Sequence, residues 1–164
     1  MITSRIHFKN FKINSRQKEA KNELKKLLKE KNQIILSLSK NYKNSFTKNL
    51  VNKFKYKKNY RLIGMGGSSL GIQTIYQFLS KKIKKNFLFF DNLQTKYNKE
   101  KKNKFTNLII SKSGNTLETI VNSNILLNKK DKNIFITEKK NNYLSLLAEK
   151  LKAEVVEHNN FIGG

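Results

Sequence analysis

The sequence predicts an α/β fold: a parallel five-stranded sheet flanked by helices and preceded by N-terminal helices. Two observations lead to this prediction. From Tyr60 onward, short apolar runs alternate with helical patterns and are joined by short links, as in βαβ units. The runs are apolar throughout, which is typical of strands that are buried on both faces. We therefore predict an N-terminal helical segment over residues 1–58 and an α/β domain over residues 59–164.

The N-terminal segment has apolar residues at helical spacing. Residues 15–31 are predicted as an amphipathic helix, because Ser15 can cap it and an apolar stripe runs among its Lys and Glu residues. The apolar pattern continues over residues 34–38, and helical spacing returns over residues 46–54. The stripe of the first helix consists of Ala20, Leu24, Leu27 and Leu28.

The second part of the chain alternates strand and helix patterns. Its charged stretch, residues 93–104, is interpreted as a solvated helix or loop. The predicted strands are residues 62–63, 87–90, 108–110, 134–136 and 155–156, and the predicted helices lie in residues 72–79, 120–126 and 143–151.

The composition is strongly basic, with 35 Lys+Arg against 11 Asp+Glu and a formal net charge of +24. Such a charge can mark a nucleic-acid binder. The only arginines, however, are Arg5, Arg16 and Arg61, and the lysines are spread along the whole chain. We interpret the excess as the product of A/T-rich codons and solvated faces, and predict no nucleic-acid partner. A basic nucleic-acid binder stays as an alternative.

Absent sequence features narrow the class of protein. The chain has no cysteine, which excludes disulfides, thiolate metal sites and cysteine nucleophiles. It has no run of 18 apolar residues, and residues 1–11 lack the apolar stretch of a signal peptide. We therefore expect a cytoplasmic protein with no membrane partner.

Glycine is scarce, and its positions are informative. Four of the seven glycines lie between Gly64 and Gly71, one lies in a second loop, and two close the sequence. Glycine is required where the backbone has positive φ or approaches a ligand closely. The two loops are therefore the candidate functional segments.

The first loop, residues 63–71, runs from a strand into a helix. Its glycines let backbone N–H groups approach an anion, and Ser68 and Ser69 offer hydroxyls at cap positions. The loop lacks the Gly-Lys-Ser/Thr of a Walker motif, and its glycine spacing does not fit a dinucleotide fingerprint. A tight turn with ordinary capping serines is the structural alternative.

The second loop, residues 111–119, also joins a strand to a helix. Ser111, Ser113 and Thr116 supply hydroxyls and Lys112 a positive charge, which suits a phosphate at a helix N-terminus. Glu118 has an equally good structural role, in a capping box or at the positive end of the helix dipole. In a flavodoxin-like strand order the two loops meet at the topological switch point, so we predict a compact phosphate ester as ligand.

The residues of these loops resemble a known family. Gly64-Met65-Gly66-Gly67-Ser68-Ser69-Leu70-Gly71 and Ser111-Lys112-Ser113-Gly114-Asn115-Thr116-Leu117-Glu118-Thr119 are similar to the two signature loops of the glucose-6-phosphate isomerase family, and residues 159–164 are similar to a third stretch. The resemblance covers residues 60 to 164. It implies a glycolytic aldose–ketose isomerase that interconverts glucose 6-phosphate and fructose 6-phosphate. It further implies two sugar-isomerase (SIS) domains in a cytoplasmic homodimer, with no cofactor and no metal.

The resemblance also implies roles for individual residues. No catalytic residue is expected in this chain: the family's arginine, glutamate base, ring-opening histidine and C-terminal lysine would all lie beyond Gly164. Neither His7 nor His158 matches the catalytic histidine. The residues expected to bind the substrate are Gly67, Ser68, Ser111, Lys112, Ser113, Thr116 and Gly164.

The expected role of the chain follows from what it lacks. We expect a fragment of a longer enzyme or the product of a truncated gene, inactive by itself and with exposed apolar surface where the missing part would pack. The alternative is a non-catalytic SIS module that binds sugar phosphates as a sensor or regulator.

Overall fold

A computed structural model describes residues 15–30, 32–94, 96–97 and 104–163. The chain forms two compact units, Met1–Lys43 and Asn44–Gly164. In the first unit the described elements are helices α1 (Ser15–Lys29) and α2 (Gln33–Ser37). The third helix of the N-terminal segment belongs to the second unit, together with the sheet. The predicted boundary at residues 58 and 59, between a helical segment and a sugar-phosphate-binding domain, stays a prediction.

The second unit has the predicted alternation of strands and helices. Each strand is longer than its apolar run, and residues 93–94, 96–97 and 104 lie in no helix or strand. The elements are α3 (Lys48–Phe54), β1 (Asn59–Gly64), α4 (Gly67–Phe78), β2 (Asn86–Phe90), β3 (Thr106–Ile110), α5 (Leu117–Leu126), β4 (Lys132–Thr137), α6 (Tyr143–Lys150) and β5 (Glu154–Glu157).

The five strands form one parallel sheet in the order β2-β1-β3-β4-β5. The predicted α/β fold with a flanked parallel sheet is therefore confirmed. All strands begin at one edge of the sheet, the amino edge, and end at the other, the carboxyl edge. Because β1 and β3 are neighbours, with Gly64 opposite Ile110, the loops that follow them lie side by side at the carboxyl edge.

Two apolar clusters cover the two faces of the sheet. On one face, Phe54 of α3 packs with Ile134 and Val156, and an apolar groove of about 440 Å³ is left beside them. This groove is exposed apolar surface, and the expectation that a further part of the protein packs on such surface stays a prediction. On the other face, the main core consists of Ile63, Ile109 and Phe135 from the strands and Leu126, Leu144 and Ala148 from α5 and α6.

Strand β1 begins three residues before its predicted apolar pair because polar side chains are satisfied there. The Tyr60 hydroxyl donates to the Phe54 carbonyl oxygen at 2.7 Å. Arg61 is only 7% exposed; its guanidinium lies over the Phe105 ring at 4.6 Å and donates to the Leu126 carbonyl oxygen at 3.0 Å. Arg61 therefore binds the C-terminal end of α5 and is not a surface cation.

Within the described residues, no helix is long and apolar enough to cross a membrane. Nor do these residues contain a group of three or more His, Cys, Asp or Glu side chains that could hold a metal ion.

Candidate functional site

The first loop turns sharply from β1 into α4. Gly66, the residue that caps α4, has φ of 55°, a conformation that glycine adopts readily. Because α4 begins at Gly67, Ser68 and Ser69 are the second and third residues of the helix and lie in its first turn. Neither occupies the cap position that was predicted for them. Ser69 is fully buried and its hydroxyl donates to the Gly66 carbonyl oxygen at 3.2 Å, whereas Ser68 is half-exposed.

The second loop is held in shape by Gly114 and the cap of α6. Gly114 has φ of 69°, and a Cβ built on it would overlap the amide group of the Asn142 side chain. The buried Asn142 amide donates to Thr137 Oγ1 at 3.2 Å, and its oxygen accepts from Ser145 N at 2.9 Å. The Gly114 position thus has no room for a side chain, as the scarcity of glycine predicts.

Ser111 positions the second loop from beneath. It is 2% exposed, and its hydroxyl lies 2.9 Å from Thr116 Oγ1 and accepts from Gly114 N at 3.2 Å. Ser111 therefore supports Thr116 and does not itself line the cleft between the two loops. Thr116 caps α5 by position, which makes Thr119 the third residue of that helix. Glu118 lies one residue short of the capping-box position and has only the helix-dipole role.

The two loops border one cleft of about 380 Å³ at the carboxyl edge. Helices α4 and α5 both begin at this cleft, so the partial positive charges of their N-terminal ends face it. Five of the seven residues predicted to bind substrate line it. The lining residues are Met65, Gly67, Ser68, Lys112, Ser113, Thr116, Glu138 and Lys140.

Lys112 joins the second loop to the C-terminal stretch, residues 159–163. Its ammonium donates to the Ile162 carbonyl oxygen at 2.5 Å and lies 3.8 Å from Glu138 Oε1. The predicted binding residue Gly164 lies outside the described residues, but the Lys112 contact brings residues 159–163 to the same edge.

Glu138 links the two cations of the cleft. Its other oxygen lies 2.5 Å from the Lys140 ammonium. The hydrogen bond and the charge of Lys140, together with the charges of Lys112 and His158, hold the pKa of Glu138 below its ordinary value. At neutral pH the cleft therefore contains two ammonium groups and one carboxylate, an arrangement that can bind an anion and accept hydrogen bonds from hydroxyls.

Glu138 and Lys140 were missed in the sequence analysis. They follow β4, which pairs directly with β3, so their side chains reach the loop that follows β3. Strand order was the available signal, because any polar residue just after a strand next to the switch point is a candidate. His158 follows β5 and contacts the Asn159 carbonyl oxygen at 3.0 Å, while His7 lies outside the described residues.

No protein-family model matches the chain. Two curated proteins with similar sequences are named glucose-6-phosphate isomerase. The one from Borrelia garinii subsp. bavariensis is 39% identical over 83 residues, which cover 44% of this chain and 16% of that protein. The one from Methanocaldococcus jannaschii is 38% identical over 106 residues, which cover 52% of this chain and 26% of that protein.

The fold has a relative among solved structures. The chain matches the crystal structure of a hypothetical protein from Thermus thermophilus with a TM-score of 0.59 and 19% identity, over 89% of this chain and 42% of that one. At this identity the likeness concerns the fold alone. The chain spans about a sixth to a quarter of the length of the two curated relatives. Along about half of its own length, 44% and 52%, it is similar to proteins named glucose-6-phosphate isomerase.

Proposed function

We propose that this chain forms the phosphate-binding part of a glucose-6-phosphate isomerase and binds glucose 6-phosphate and fructose 6-phosphate in the cleft at the carboxyl edge. One observation carries the proposal: two helix N-termini, Lys112 and Lys140 meet in a single small cleft. The similarity to curated proteins of that name supports the choice of substrate.

The phosphate would lie across the N-terminal ends of α4 and α5. There Gly67 and Ser68 present one helix end, and Ser113 and Thr116 present hydroxyls at the other. Lys112 and Lys140 would neutralise the dianion. Glu138, an ionised acceptor beside them, suits the hydroxyls of the sugar. Binding at the phosphate orients the sugar for chemistry elsewhere on the substrate, which lowers the barrier to isomerisation.

The proton transfer of isomerisation would be carried out by groups outside this chain. Moving a hydrogen between two adjacent carbons requires a base whose pKa is near the working pH. Glu138 lines the cleft, but Lys140 and Lys112 lower its pKa, so it is a weak base near neutrality. We therefore propose that the 164-residue chain binds the sugar phosphate and does not turn it over.

Calorimetric titration of the chain with fructose 6-phosphate and with fructose tests the binding. We expect heat of binding with fructose 6-phosphate only, because the phosphate carries the recognition. The substitution Ser113→Ala should weaken binding about tenfold or more, the typical loss for a hydrogen bond to a charged group. Ser80→Ala, in the exposed turn after α4, is the matched control and should leave affinity unchanged.

Equal affinity for fructose and fructose 6-phosphate would contradict the phosphate site, and so would no binding of either. An assay that couples formation of glucose 6-phosphate to its oxidation tests the second part. Turnover by the 164-residue chain would show that its own residues perform the proton transfer.

A non-catalytic SIS module is the second candidate, and the lowered pKa of Glu138 favours it as well. Both candidates bind sugar phosphate, so binding does not separate them. The coding sequence after Gly164 does: an arginine codon followed by a long open frame supports the isomerase, and a stop codon supports the module.

A further inference from the structure

Lysines lie at the start of every strand of the sheet. They are exposed or half-exposed, and all lie within three residues of the first residue of a strand. Because the strands are parallel, these starts lie along one line, the amino edge, opposite the cleft. The lysines of the amino edge are Lys57, Lys58, Lys84, Lys85, Lys104, Lys129, Lys130, Lys132 and Lys152.

Contacts between the strand starts bring these lysines together. Lys85, before β2, donates to the carbonyl oxygens of Lys55 and Lys57 at 2.6 and 2.7 Å. Lysines preceding β1, β3 and β4 line one cleft of about 330 Å³. Lysines from α3 and from the starts of β4 and β5 line a second, of about 140 Å³. Lysines far apart in sequence thus form a continuous surface.

The positive charge of the amino edge is largely uncompensated. The acidic residues beside the strand starts are Asp131 and Glu154, and Glu154 pairs with Lys53; Glu157 is also within three residues of the start of β5 but ends that strand at the carboxyl edge. At the carboxyl edge the excess is smaller, with Lys48, Lys96, Lys112, Lys139 and Lys140 against Asp91, Glu138 and Glu157. The excess of positive charge is therefore larger at the amino edge than beside the sugar-phosphate cleft.

Two exposed aromatic rings flank the lysines. Tyr56, in the turn before β1, and Phe78, at the C-terminal end of α4, are each 85% exposed. The Lys55 ammonium lies 5.7 Å from the centre of the Tyr56 ring. Exposed aromatic rings beside cations are typical of surfaces on which single-stranded bases stack.

We propose that the amino edge binds single-stranded nucleic acid through its phosphates, without preference for sequence. Its cations are lysines, which contact phosphates as point charges, while Arg61, the arginine of β1, is buried. Five strands about 4.8 Å apart make a line of about 19 Å, which suits a chain-like polyanion better than a flat membrane. The lysines are scattered in the sequence but gathered by the fold, so their spread along the chain is no argument against a nucleic-acid partner.

Fluorescence anisotropy of a labelled 15-nucleotide single strand, titrated with the full chain at 50 and 200 mM salt, tests the proposal. With about four phosphates contacted, affinity should fall roughly 50-fold between these salt concentrations. The triple variant Lys57→Gln, Lys104→Gln, Lys130→Gln should bind more weakly at 50 mM and lose about 2 from the slope of log affinity against log salt.

The control is a triple variant with the same loss of charge at the other edge. Its substitutions are Lys48→Gln, Lys96→Gln and Lys139→Gln. Lys48 is the first residue of α3 and lies near the end of β5, where the Ser45 hydroxyl donates to the Glu157 carbonyl oxygen. Lys96 follows β2 and Lys139 follows β4. This variant should keep most of the affinity, and circular dichroism checks that both variants fold. The proposal is overturned by no binding at 50 mM salt, by equal losses in the two variants, or by binding to phosphatidylserine vesicles but not to the oligonucleotide.

Discussion

At the scale of single residues, Gly114 shows why the positions of the few glycines were informative. Its φ of 69° and the Asn142 side chain that fills the space above it both exclude a Cβ. By contrast, Gly71 lies within α4, and a Cβ there would meet no atom within 4 Å. Glycine scarcity therefore located the loops correctly but did not separate a required glycine from a tolerated one.

The pair gives a matched prediction. Gly114→Ala should lower the free energy of unfolding by about 2 kcal/mol or more, because it adds backbone strain and displaces Asn142 from the cap of α6. Gly71→Ala should leave stability unchanged or raise it by up to about 1 kcal/mol, because alanine favours a helix. Urea denaturation of the two variants measures both values, and equal effects would contradict the role of Gly114.

Glu138 predicts a pH dependence. Lys140 and Lys112 lower its pKa from the ordinary value of 4.5, so its ionised form stabilises the folded chain. That contribution is complete above the unfolded pKa and is lost as pH falls through the folded pKa. Glu138→Gln should therefore lower Tm at pH 7, and the difference from the unchanged chain should disappear well below pH 4.5.

Glu157→Gln is the control for this measurement. It removes the same charge at the same edge from an exposed position that ends β5. A general loss of negative charge from a basic protein would affect both variants equally. Equal Tm profiles for the two variants would thus remove the special role of Glu138.

The sequence did not predict which side chains of the two loops are buried. Ser68, Ser69 and Ser111 looked equivalent as hydroxyl donors, yet Ser69 and Ser111 are buried under their own loops. For Ser69 the helix cap decides this: with Gly66 as the cap of α4, Ser69 is the third residue of the helix and its hydroxyl donates back to the Gly66 carbonyl oxygen. Whether the residues lining the cleft bind substrate stays a prediction.

At the scale of elements, apolar runs located all five strands but underestimated their lengths. The apolar runs of β1 and β4 are mostly buried, as predicted, whereas those of β2 and β5 are partly exposed, with Leu88 at 37% and Val155 at 53%. Strand ends contain polar residues that pair with one another: Asn107 donates to Asn133 at 2.7 Å across β3 and β4. Such pairs leave no apolar signal, so strand boundaries were not predictable.

Paired residues of β4 and β5 test how much the central strand contributes. Phe135 and Val155 are opposite each other in the register, but Phe135 is fully buried and Val155 is 53% exposed. Phe135→Ala should cost about 3–5 kcal/mol of unfolding free energy because it leaves a cavity in the main core. Val155→Ala should cost less than about 1 kcal/mol. Thermal or urea unfolding compares them, and similar losses would contradict this assignment of the core.

At the scale of the whole molecule, the strand order followed from the sequence because parallel βαβ units allow few arrangements. The position of the net charge did not, since it depends on which ends of the strands share an edge. The sequence predicts exposed apolar surface but not the position of the apolar groove beside Phe54. Its location on the α3 face of the sheet comes from the packing of that one short helix.

Strand β2 affects whether copies of the chain associate with one another. It stands at the end of the strand order and consists of Asn86 followed by Phe87, Leu88, Phe89 and Phe90, an uncharged aromatic segment of the kind that forms cross-β stacks. Lys84 and Lys85 precede it and Asp91 follows, so charges flank it on both sides. Such flanking charges act as gatekeepers against edge-to-edge self-association. Between copies of this basic chain the lysines repel one another, and this repulsion weakens as ionic strength rises, so added salt should favour self-association.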